Sequence, residues 1–88
     1  MGAGEDRSAA LVFPAYRRMK ATGHLYRIES ARRFIELQPV GNRWLKHVVD
    51  AVAYPEQVRV HEMMACANGI YEALEGRDWD KALLQTQQ

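Results

Sequence analysis

The sequence predicts an all-α fold, a small bundle of about four to five helices, on three observations. Apolar residues recur at spacings of three and four along most of the chain. Prolines stand where first helical turns would begin, and glycines stand where helices would stop. A length of 88 residues allows one core rather than two. One helical domain therefore spans residues 9 to 84, between a flexible lead over residues 1 to 8 and a polar tail over residues 85 to 88.

The apolar run at residues 9 to 13 is a short strand or an extended lead-in. It ends at Pro14, whose ring suits a first helical turn, so a first helix starts there and stops at Gly23. Tyr16 and Met19 lie on one side of it, with Arg17, Arg18 and Lys20 on the others. Two periods compete over residues 24 to 37. Leu25, Ile28, Ala31, Phe34 and Ile35 recur at helical spacing, while residues 24 to 28 also fit a short extended piece before a helix capped by Ser30. One helix to about Leu37 is favoured. Gln38 to Gly41 is turn chemistry, and Asn42 caps a helix to about Ala53 whose Trp44, Leu45, Val48, Val49 and Val52 make too broad a stripe for a surface helix.

Pro55 opens the strongest element, a helix over residues 55 to 74 in which Val60, Met64, Ala67, Tyr71 and Leu74 form a packing seam. Gly69 inside it permits a close helix approach. Gly76 ends this helix, and Asp78 caps a last short one carrying Trp79, Ala82 and Leu83.

Two family likenesses are carried by short motifs. Ala67, Asn68, Gly69 and Tyr71, followed by residues 75 to 83, resemble the helix-turn-helix junction of a tetratricopeptide repeat, with Tyr71 and Ala82 one position out of register. Only one such unit is present, and it implies a closing helical hairpin. Leu25, Tyr26 and Arg27, followed by Ala31, Arg32, Arg33 and Phe34, are similar to the signature of the LYR-motif adaptor proteins, whose members are small, helical and bind acyl carrier protein. The spacing to the phenylalanine is short, and the later basic helix of that family is missing.

Hydrophobic residues at 48% and charged residues at 26% describe a folding chain rather than a disordered one. No apolar run reaches the roughly 18 residues that cross a bilayer, and the N-terminus has neither a basic start nor a long apolar stretch, so a cytoplasmic location is expected. The single cysteine, Cys66, can form no internal disulfide; in the middle of an apolar helix it is expected to fill the core. His61 and Cys66 stand five apart, on different sides of a helix, so no metal or cofactor is expected. Nor does any nucleophile stand beside a base in the pattern catalysis needs, so an enzyme is not expected.

The net charge of +1 conceals a polarity: residues 7 to 47 sum to +7 and residues 48 to 88 to −4. Either the halves face each other or the basic half meets a partner. Together with the surplus of large apolar residues, this points to a non-enzymatic protein-binding regulator, inhibitor or adaptor. Its partner would have an acidic surface, and a homodimer built on helix faces would use part of the same surplus. The expected contact residues are Arg17, Arg18, Lys20, Arg27, Arg32, Arg33, Arg43 and Trp79. The alternative is a small nucleic-acid-binding protein using the basic residues between 17 and 46.

Overall fold

A sheet of five antiparallel strands, not a helical bundle, is the main element of the described residues. The computed structural model describes residues 12 to 86; the expected lead over residues 1 to 8, the start of the domain and the last two residues of the tail lie outside them. The elements are β1 (Ala15–Met19), β2 (Leu25–Ser30), β3 (Arg33–Val40), β4 (Arg43–Asp50), a helix α1 (Tyr54–Ala65), a short 3₁₀ turn (Ala67–Gly69), β5 (Tyr71–Ala73) and a helix α2 (Gly76–Leu84). The sheet order is β4-β3-β2-β1-β5.

The all-α expectation fails for a specific reason. Each face of the sheet is covered by one helix, so neighbouring strand residues are buried on opposite sides and the polar-apolar alternation of a half-wetted strand is lost. Leu25 packs with Leu37, Trp79 and Ala82 beneath α2. Tyr26 and Ile28 pack with Phe34, Val60, Met63 and Tyr71 beneath α1. Three apolar residues within four positions then imitate a helical stripe. The LYR-like segment accordingly runs from β2 through the tight turn into β3, and the tetratricopeptide-like segment holds β5, so neither helical implication survives.

The turns explain why strands won. Gly23, read as a helix stop, takes φ +78° and donates to the Met19 carbonyl in the β1–β2 turn. Ser30, read as a helix cap, does accept a backbone N–H, but from Arg32 in the tight β2–β3 turn. Gly41 takes φ +62° as the first of two residues between Val40 and Arg43, the hairpin geometry that matches strand twist. Pro39 sits in β3 beyond Leu37, the last residue paired to β2, where the strand has only β4 beside it.

Two helices agree with expectation in place if not in length. Pro55 stands in the first turn of α1 as expected, yet the helix stops at Ala65 because Cys66 turns left-handed, φ +51°, and Asn68 and Gly69 follow it. Cys66 is therefore the helix end, partly exposed, rather than core filler. Gly76 begins α2 instead of ending its predecessor, and its α-carbon meets the Tyr16 ring: an added Cβ would lie 3.4 Å from it. Gly69 supports no close approach; a Cβ there would meet open space, but φ is +68°.

That φ gives a test with opposite signs. Gly69→Ala would stabilise a continuous helix by about 1 kcal/mol; in this fold it destabilises by about 1 kcal/mol, because alanine pays for the left-handed conformation. Chemical denaturation of the two proteins reads the sign.

Candidate partner interface

The expected contact arginines are mostly engaged inside the chain. Arg17 reaches from β1 to the end of α1, where its Nε donates to the Met63 carbonyl at 2.9 Å and its Nη2 to that of Met64 at 3.1 Å. α1 has no basic residue in its own last turn, so Arg17 satisfies the carbonyls and the negative dipole end from outside. Arg18 pairs with Glu72 across β1 and β5. Arg27 lies over the Tyr16 ring, 3.9 Å from Glu29, and Arg33 stands 3.8 Å from Glu29 and 3.7 Å from Asp50. The basic half thus meets the acidic half within one chain at Arg18 and Arg33. Trp79 is wholly buried on the inner face of α2, so it is core and not a surface anchor.

Lys20, Arg32 and Arg43 remain exposed and make no ion pair among the described residues. The topology separates them: Lys20 and Arg43 stand at the sheet end that carries the β1–β2 and β3–β4 turns, and Arg32 at the other. No basic stripe forms.

A polar network missed by the sequence reading holds α1 to the sheet. Arg59 Nη2 donates to the Tyr26 hydroxyl at 2.8 Å, which donates to Glu36 Oε2 at 3.0 Å. His24 Nδ1 lies 2.7 Å from the same oxygen. The guanidinium also lies over the Tyr26 and Phe34 rings, at 5.3 and 5.4 Å. The β2–β3 register is what brings Tyr26 and Glu36 opposite each other, a pairing invisible while both were read on one helix. Burial pushes the Glu36 carboxyl up, but the hydrogen bonds from His24 and Tyr26 and the charge of Arg59 outweigh it and hold the group below the usual carboxylate range. Burial pushes the Tyr26 phenol well above its ordinary 10.0. With Tyr26 out of solvent, the network fastens α1 to the sheet.

No family model matches the chain, and neither a curated protein nor a solved structure is significantly similar to it. What the molecule can do must be argued from its surface.

The informative surface is the tip of the β3–β4 hairpin. A shallow cleft of about 240 Å³ is lined by Val40, Arg43, Trp44, Leu45 and Thr86, and an open hollow beside it by Asn42, Arg43, Leu84 and Gln85. Leu45 is 50% exposed and Leu84 72%. Trp44 is half-buried and held in place by a 3.0 Å hydrogen bond from its Nε1 to Gln85 Oε1. Arg43 is the one charged residue lining either depression among the described residues. Of the expected contact residues, it alone stands on this surface. A signal for it existed: Gly41 and Asn42 between two apolar runs are a two-residue hairpin turn, and a hairpin puts Trp44 and Leu45 on opposite faces.

Among the described residues no three potential ligands are placed to hold a metal, and no helix is long and apolar enough to cross a membrane.

The fastening makes stability depend on pH at both the acid and the alkaline end. Because folding holds Glu36 below the usual carboxylate range, its stabilisation is present above pH 4.5 and is lost as the pH falls below that. The raised Tyr26 pKa adds stability that is full below pH 10.0 and is lost as the pH rises beyond it. Glu36→Gln should flatten the acid side of a stability-against-pH curve and Tyr26→Phe the alkaline side. Arg59→Met should cost about 2 kcal/mol at neutral pH, the value of a charge-assisted hydrogen bond.

Proposed function

We propose that this chain is a non-enzymatic protein-binding module that docks an acidic, apolar segment of a partner on the tip of its β3–β4 hairpin. The observation that carries this reading is the placement of Arg43 beside Leu45, Val40 and Leu84: one unpaired cation among exposed apolar side chains, around an indole fixed from behind by Gln85. A carboxylate followed by an aliphatic or aromatic side chain matches that arrangement. The anion meets Arg43, whose planar fork suits it, while the apolar group enters the cleft beside Trp44. Regulator, inhibitor and adaptor roles all reduce to this one contact.

The nucleic-acid alternative loses its support on charge. Phosphate tracking requires a run of free cations, whereas Arg17, Arg18, Arg27 and Arg33 have internal partners and the free cations are dispersed.

Selection of a displayed random-peptide library on the folded protein tests the proposal. The peptides recovered should carry an acidic residue next to a large apolar one. They should bind Arg43→Glu at least about tenfold more weakly, a change of about 1.4 kcal/mol, while Arg32→Glu leaves affinity unchanged. Recovery of basic peptides, or of acidic ones indifferent to Arg43, contradicts it.

A further inference from the structure

The free edge of β4 is self-complementary, and we infer that a second copy of this chain pairs with it antiparallel about a two-fold axis through Val48.

The backbone identifies which groups are free. Val40 and Arg43 flank a two-residue turn, so they exchange hydrogen bonds, and the Ala51 N–H donates to the Arg32 carbonyl at 2.7 Å. The odd-numbered residues of β4 therefore bond to β3. The backbone N–H and C=O groups of Trp44, Lys46 and Val48 and the N–H of Asp50 point out of the sheet, with no strand beyond them among the described residues, while the Asp50 carbonyl accepts from the Val52 N–H at 2.9 Å. At eight residues this edge contrasts with the opposite one, where β5 has three. A long open edge is a template for another strand.

Charge then chooses the occupant and the register. Two antiparallel strands of one sheet share their faces, so even positions of one copy stand opposite even positions of the other. With Val48 opposite itself, Lys46 stands opposite Asp50 in both halves of the contact. Val48 is 48% exposed and the Asp50 side chain 69%, so each has surface to cover. Centring instead on Lys46 sets two ammonium groups opposite each other, and centring on Asp50 sets two carboxylates opposite. The intermediate centres at His47 and Val49 put no cation opposite an acid. A lysine on an edge ordinarily deters pairing; here the opposite position supplies its counter-ion. Two sheets would become one of ten strands, joined by on the order of four backbone hydrogen bonds.

Arg43 and the hairpin cleft lie outside the paired segment 46 to 50, so this inference stands apart from the peptide-docking reading and the two fail separately. Sedimentation velocity from 1 µM to about 200 µM reads it. The wild-type protein should approach twice its 10.1 kDa as concentration rises. Lys46→Asp and Asp50→Lys should each weaken association at least about tenfold, and the double swap should restore it, while Arg43→Glu leaves it unchanged. Asp50 also stands near Arg33, so circular dichroism of every variant, together with Val48→Lys, guards against loss of folding. A monomer throughout the range, single reversals without effect, or a double swap that fails to restore the dimer in a folded protein would each overturn the inference.

Discussion

Tyr26 lies under α1 with its ring wholly out of solvent and its hydroxyl held between Arg59 and Glu36. The rest of the molecule depends on this contact. α1 has twelve residues and buries only Val60 and Met63, too little apolar surface to hold a short helix in place by itself. It is therefore fastened at two points. Arg59 binds the middle of the helix to β2 and β3, and Arg17 binds its end to β1. Both fastenings are charge-assisted hydrogen bonds to groups removed from water, where each is worth more than a neutral one. α2 solves the same problem differently: Trp79 and Ala82 bury it on Leu25 and Leu37, and Gly76 lets its first turn close on Tyr16.

The two helices cover the middle of the sheet and leave its β4 margin open. β2 and β3 hold five of the buried residues, Leu25, Tyr26, Ile28, Phe34 and Leu37, whereas no residue of β4 is fully buried. Among the described residues, five of the eight exposed large apolar side chains accordingly fall on β4 or on the segments just before and after it: Val40, Leu45, Val48, Val52 and Tyr54. The surplus of apolar residues is real in the sequence, but it collects on the hairpin and its edge rather than on helix faces. The charge polarity is also real, and much of it is spent internally, on the α1 terminus, Glu72 and Asp50. Apart from Arg17 on the α1 carbonyls, the cations left without an ion pair among the described residues are Arg43 at the hairpin tip, Lys46 on the edge, and the dispersed Lys20, Arg32 and Lys81.

Much of the local chemistry was legible in the sequence, and the architecture was not. Pro55 in a first turn and the short helix around Trp79 could be read from residue types, because both are local signals. The strands could not be separated from helices, because burial on both faces removes the alternation that distinguishes them; at Leu25, Tyr26 and Ile28 the two periods coincide. β-branched residues at Val48, Val49 and Val52 argue for strand, as does the Gly41-Asn42 turn, and a reading weighted toward those features finds the hairpin. The polar fastening was out of reach. Arg59 and Tyr26 stand 33 positions apart, and only the strand register brings Glu36 beside Tyr26. Arg43 was named among the contact residues for its charge alone; its neighbours Trp44 and Leu45 were assigned to the core by the helical period.

Hydrogen exchange of the β4 amides, resolved residue by residue, tests the central claim that this strand lies at an open edge with its odd-numbered amides turned inward. The account predicts slow exchange at Leu45, His47 and Val49 at every concentration, bonded to β3, and exchange at Lys46, Val48 and Asp50 that is fast in dilute solution and slows as copies associate. Uniform protection along residues 43 to 50, as in a helix, or uniformly fast exchange, would contradict it.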